Sequence, residues 1–300
     1  MEGLEQFRWY RGTDALDWRE SRTAVEDGEG HSGTRRYLMS PDGERGQAYD
    51  PLSEERGLFL NFADLETDEE QVLDFARRYG FLGVADTQPV WTGLREPPTD
   101  VLWGERFDKW ADALIIMRVA VTLAQSFGIG GKPDIERARG LVTHTLLGDN
   151  LIRVRVDLKG LHGFEDIPLS MNPDGSEWSR ATVVPRPLVM DKAAAYAFTR
   201  AALVDIVNAN LRALCNPQLA LSGGIALVAI QPKNLLGAMW LQLAHALDGD
   251  RKYRRCEECG GWFEVGSDGK RPDSKTCSGR CRTRKHRREN PPQTGGSSNG

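Results

Sequence analysis

Three hundred residues exceed a typical single domain and suit one large domain followed by a small one. The composition, 40% hydrophobic and 27% charged with a mean hydropathy of −0.47, is that of a globular chain. No stretch reaches the roughly 18 uninterrupted apolar residues of a membrane span, so a membrane partner is excluded. The start, Met1 to Arg8, has neither a basic nor an apolar leader region. A cytoplasmic location with reduced thiols is therefore expected.

The formal net charge of −4 hides an asymmetry. From Arg251 to Arg288 there are 13 Lys and Arg against 5 Asp and Glu, whereas the rest of the chain carries 26 against 38. An acidic body with a basic end directs a polyanionic partner to that end.

In chain order, residues 1 to about 50 read as polar and loop-rich, with an apolar patch at Phe7, Trp9 and Tyr10. Arg36 to Met39 forms a short strand between turns at 28–30 and 40–43. Leu58 to Phe62 is a short buried element. Thr67, three residues before Glu70, predicts a capping box for a helix running to Tyr79 and stopped by Gly80. Apolar spacing predicts a long helix over 103–127, and Pro133 opens another to about Leu147.

Alternation over 151–158 predicts a half-exposed strand, and 181–187 an extended edge. Asp191 caps an Ala-rich helix to about Leu214. Residues 218–230 read as a hairpin turning at Ser222-Gly223-Gly224, and a helix follows from Pro232 to about Leu247. Residues 289–300 hold nothing to bury and are expected to be disordered. The fold class is thus α+β: a mainly helical large domain (1–250), then a small treble-clef-like module with four cysteines (251–288).

That module carries the strongest signal. Cys256 and Cys259 form a C-x2-C pair, and Cys277 and Cys281 follow as C-x3-C. Two short pairs of thiolates meet the tetrahedral demand of a zinc ion, and four of them leave no position for water, so the zinc is structural. Trp262 to Val265 and Ser274 to Thr276 are expected to pair as a hairpin beside the metal. Ser278 is placed to cap a helix on which Cys277 and Cys281, four apart, face one ion. Cys215 stands alone and reads as a packing residue.

Cations crowd the helix that follows. Arg254 and Arg255 lead into the first pair, and Arg280, Arg282, Arg284, Lys285, Arg287 and Arg288 surround and follow Cys281. Such side chains suit phosphate oxygens, which makes nucleic acid the expected partner of this helix. A protein partner, or the chain's own acidic domain, is the other reading of the same charge.

The run from Arg254 to Cys259, Trp262-Phe263, Lys275 to Ser278, and Cys281 to Arg288 resembles the CGNR-type zinc finger of bacterial regulators over about 38 residues. Here Arg-Thr-Arg follows Cys281 in place of Gly-Asn-Arg, and the second pair is C-x3-C. The resemblance implies a DNA-binding finger behind a larger, mostly helical domain, in a protein of transcription regulation. The segment 49–82 and the helix over 232–247 are similar to uncharacterised bacterial proteins that end in the same finger.

Catalytic signatures are missing from the sequence. Gly128 to Lys132 looks like a phosphate loop but follows a helix, and Pro133 takes the place of the magnesium-binding Ser or Thr. His31, His144, His162 and His245 share no ligand spacing, and no catalytic residue is assigned. Trp103, Trp110 and Trp240 are expected in the core, whereas Trp9, Trp18, Trp91 and Trp178 sit in polar contexts open to a ligand pocket. The expectation is a zinc-binding, nucleic-acid-binding regulator whose large domain senses a ligand or binds a partner. An enzyme with a site scattered over the large domain is the remaining alternative.

Overall fold

Apolar faces of five helices meet in one core, and the segment with four cysteines follows the last of them. The computed structural model describes residues 7–22, 34–40, 46–84, 104–133, 142–146, 152–156, 167–171, 186–187, 192–222, 225–249, 251–266 and 269–290. Trp91, Trp103, Trp178, His31 and His162 lie outside these residues, as do the turn at 28–30, most of that at 40–43, and 291–300.

The described part of the N-terminal fifty residues holds more strand than its polarity predicts. Strands β1 (Trp9–Tyr10) and β4 (Ala48–Tyr49) pair with each other. Strands β2 (Asp17–Arg22) and β3 (Thr34–Met39) join β5 (Gly104–Arg106) in a three-stranded antiparallel sheet. Trp9 and Trp18 are anchors and not pocket walls. Their indole N–H groups donate to Phe81 O and Glu69 O, both at 2.9 Å, and both rings pack on the core.

Three helices follow: α1 (Pro51–Glu54), α2 (Leu58–Ala63) and α3 (Glu69–Tyr79). Asp68, not Thr67, caps α3 by accepting from Gln71 N–H at 3.2 Å, because Asp68 holds the extended backbone that a cap requires. Glu69 and Glu70 in its first turn and Arg77 and Arg78 in its last complement the helix dipole. Gly80 ends it with φ 92°, and any Cβ there would lie 2.0 Å from Tyr10 O.

The long central helix α4 spans Phe107–Ser126. Residues 104–106, expected to be helical, instead pair with Tyr37 to Met39, since closing the sheet outweighs local helical spacing. The predicted helix over 133–147 is also corrected where the structure describes it. Residues 142–146 form β6 (Val142–Leu146), whose Val-Thr-His-Thr run favours an extended ladder. It lies in a four-stranded sheet ordered β8 (Ile167–Met171), β7 (Ile152–Val156), β6, β9 (Arg186–Pro187).

Helix α5 (Lys192–Leu214) runs into the hairpin β10 (Cys215–Ser222) and β11 (Ile225–Pro232), and α6 (Leu235–Asp248) follows. Asn234 caps α6, donated to by Gly237 N–H at 2.7 Å, while Pro232 closes β11. Trp110 on α4 and Trp240 on α6 are 0% and 1% exposed, at the centre of a core shared with Phe59, Phe62 and Phe75. The Cys215 thiol is buried and donates to Gly237 O at 3.6 Å, so it is a packing residue as expected.

One carboxyl is buried under this sheet. Glu105 on β5 accepts from the backbone amide of Leu82 at 2.9 Å and from that of Gly83. Burial pushes its pKa from 4.5 up to about 7 against the pull of these amides and of the nearby Trp110 indole, whose N–H forms no complete hydrogen bond. For an acid whose folded pKa is raised, the stabilising contribution is complete below pH 4.5 and is lost as the pH rises through about 7. Relative to Glu105→Gln, the wild-type chain should lose on the order of 3 kcal/mol across that window. Thermal unfolding of both chains from pH 5 to 8 measures it, and a gap independent of pH contradicts the assignment.

Candidate metal centre

The first cysteine pair is the turn of a hairpin. Strands β12 (Lys252–Arg255) and β13 (Trp262–Val265) pair antiparallel from Lys252↔Val265 to Arg255↔Trp262. The partner of Trp262 to Val265 is thus β12 and not Ser274 to Thr276. The register is set by the knuckle itself: Cys256 N–H donates to Gly261 O, and Gly260 N–H to Cys256 O, both at 2.9 Å. Residues 274–276 serve the site differently, through Glu257 N–H donating to Lys275 O at 3.0 Å.

The second pair opens the last helix, α7 (Gly279–Glu289). Ser278 caps it as expected, its hydroxyl accepting from Cys281 N–H at 3.2 Å. The helix extends through Glu289 with Asn290 as its C-cap, so Glu289, expected to be disordered, is helical.

Cys256, Cys259, Cys277 and Cys281 come together with all four sulfurs within 4.8 Å of one another. The Sγ atoms of Cys259 and Cys277, and those of Cys277 and Cys281, are 3.6 Å apart. Four thiolates bonded at about 2.3 Å to a central ion would stand about 3.8 Å apart, so the cluster fits a tetrahedral metal ion and is too open for disulfides. Cys256 and Cys281 are buried, whereas Cys259 reaches the surface.

The site's electrostatics demand a cation. Burial raises the Cys256 thiol, but the backbone amides of Cys259, Cys277 and Glu258 outweigh it and bring the pKa down to about 6. Burial and the neighbouring thiols raise Cys277 in turn. One sulfur therefore ionises readily and resists the ionisation of the next, until a metal ion neutralises the group.

The cations around the cluster divide into two sets. Arg288 lies 2.6 Å and Arg284 4.0 Å from the carboxylate of Glu258, whose side chain is only 5% exposed. Lys285 is paired with Glu257 and, at 3.7 Å, with Glu289. The two glutamates between Cys256 and Cys259 thus hold the inward side of α7. Arg254, Arg280, Arg282 and Arg287 are exposed and make no ion pair among the described residues. At 100° per residue, Arg282 and Arg287 stand about 100° and 120° from Cys281, on opposite flanks of the helix.

The hairpin also grips the body. Tyr253 belongs to the main core and meets Phe59 edge-on at 5.4 Å. Trp262 N–H donates to Asn61 Oδ1 at 2.6 Å, and its indole N–H to Asp64 Oδ2 at 2.7 Å. Arg255 pairs with the same Asp64 oxygen at 2.7 Å and lies over the Trp262 ring. Gly130, within the loop that looked phosphate-binding, has φ 77°, and a Cβ there would press on Trp262 at 3.3 Å. A cleft of about 810 Å³ remains between α3 and the metal cluster, lined by Arg78, Tyr79, Cys259, Cys277, Arg280 and Arg284 among others.

Sequence reasoning missed Glu257, Glu258, Asn61 and Asp64. A signal existed for Glu258: Arg284 and Arg288 are four apart and share a helix face. None marked Asn61 or Asp64, which meet Trp262 only through the tertiary fold. No family model matches the chain, and comparison with curated proteins and with solved structures likewise returned no match.

Replacing one sulfur should unmake the site. Cys277→Ser is expected to lose the bound metal and to expose 251–290 to protease, because metal binding and local folding are coupled. Metal content and limited proteolysis check this. Retention of both would show that the four cysteines do not act together.

Proposed function

We propose that the chain is a zinc-dependent nucleic-acid-binding regulator, its four cysteines holding a structural zinc ion and its last helix presenting cations to phosphate. The large N-terminal part would sense a ligand or bind a partner. The observation that carries this reading is the four-thiol cluster at the start of a helix whose two flanks expose Arg282 and Arg287, without an ion pair among the described residues. The resemblance to the CGNR-type finger supports it. Zinc in a four-thiolate shell supplies a cross-link and no open coordination position.

The residues divide the work. Cys256 and Cys259 on the knuckle and Cys277 and Cys281 at the helix start would hold the ion. Glu258 would orient α7 through Arg284 and Arg288. Arg282 and Arg287, with Arg254 and Arg280 beside them, would then anchor phosphates without base preference. Arg255 is occupied by Asp64 and contributes to docking.

A second reading rests on that docking: the finger closes on its own acidic body through Asp64, Asn61 and Tyr253 and serves a protein partner. The two readings differ in salt dependence. Duplex DNA titrated with the full zinc-loaded chain should bind with an affinity falling steeply with salt. Arg282→Ala with Arg287→Ala should reduce the log–log slope by about 2 while zinc content stays unchanged. Arg288→Ala should instead loosen the finger, since it strips a partner from a buried carboxylate. Failure of the wild-type chain to bind duplex at low salt would end the nucleic-acid reading and favour the second.

A further inference from the structure

Among the described residues, four of the six exposed large apolar side chains, Leu219, Leu227, Val228 and Ile230, lie on the hairpin β10–β11. At its base, Cys215 and Pro232 are buried against α6. Beyond them the ribbon leaves the body. Pro217 stands opposite Ile230 and Leu219 opposite Val228, so all four side chains share one face. Leu219 is 77% exposed, Val228 75% and Ile230 49%. A soluble chain rarely leaves neighbouring branched side chains so open on a regular strand pair. A two-stranded ribbon is also only marginally stable in water unless something covers a face.

The chemistry of the strip narrows the occupant. From Cys215 to Pro232 the sequence holds no Asp, Glu, Lys, Arg or His. A nucleic acid or an anionic surface would gain nothing here. Entry into hydrocarbon would strand the outer backbone groups of both strands, which join no further strand among the described residues. The covering surface must itself be uncharged, apolar and twisted like the ribbon. A second copy of the same hairpin brings a surface with each of these properties.

We propose that this face is a self-association surface: two copies stack their hairpins face to face about a two-fold axis, Leu219 and Val228 of each covering those of the other. Stacked sheets lie about 10 Å apart, a gap that branched aliphatic side chains fill. Isologous packing requires only that the strip match itself, and a uniform uncharged strip does. The polar positions Asn216, Gln218 and Gln231 fall on the opposite face and stay in water.

The size of the surface sets the strength. A standard interface buries about 800 Å² and 20 to 30 residues on each side. The hairpin offers 16 strand residues, 8 in each strand; half share this face, and with Cys215 and Pro232 covered by α6 at most six meet the partner. A reversible dimer with a dissociation constant on the order of micromolar follows, not an obligate one.

Sedimentation velocity on the full, metal-loaded chain, from about 1 to 100 μM to bracket that constant, tests the proposal. The wild-type chain should move from monomer to dimer across this range. Leu219→Lys with Val228→Lys should remain monomeric at every concentration, with metal content and far-ultraviolet circular dichroism unchanged, because neither side chain supports the monomer. Leu219→Thr with Val228→Thr keeps strand propensity and guards against a folding defect; it should weaken the dimer at least tenfold. A wild-type chain monomeric throughout assigns the face to another occupant and overturns the proposal. A dimer that persists in the double-lysine chain overturns it as well, since association would then use another surface.

Discussion

Mutual repulsion among four sulfurs confined within 4.8 Å is the constraint on which the C-terminal part depends. Backbone amides of Cys259, Cys277 and Glu258 stabilise the thiolate of Cys256, and burial with the neighbouring thiols opposes ionisation of Cys277. A central cation would remove that opposition and join the β12–β13 turn to the start of α7. The ion pairs of Glu257 and Glu258 with α7 are the other link between the two elements. The apolar cluster there is limited to Cys256, Phe263, Val265 and Cys281, with Cys277 against it, far too small a core to fold by itself.

Around that centre, charge is used at two depths. Glu258 is nearly buried, and its arginines extend over it towards solvent, so the pair fixes the pitch of α7. Asp64 does the same for the hairpin, accepting from Arg255 and the Trp262 indole at one oxygen. The excess of positive charge in 251–288 is thus partly spent inside the finger and at its seat on the body. Counting Lys and Arg overstates what is free to meet a phosphate, and the helix side on which each one lies decides the matter.

Much of this architecture was legible where one local rule dominated. Helices α4 and α6 follow their apolar spacing, α5 its Ala-rich run, and the cap of α7 its Ser278. The cysteine spacing foretold the cluster. What stayed hidden depended on partners distant in sequence. Residues 104–106 look helical until β3 pairs with them. The two-residue strands β1 and β4 carry no periodicity of their own. Trp262 to Val265 suggest pairing with 274–276 when read in sequence, and the hydrogen bonds of the knuckle select β12 instead.

The junction between body and finger is three residues long, from Gly249 to Arg251, between the end of α6 and the start of β12. Such a tether spans at most about 11 Å. The finger therefore meets the Asn61–Asp64 surface as an intramolecular partner, at an effective concentration of millimolar or more. An interface of one aromatic contact and a few polar bonds, too weak to unite separate molecules, suffices under those terms. The same short link ties β12 to α6, so the strand that leads into Cys256 is positioned by the helix that buries Trp240 in the core.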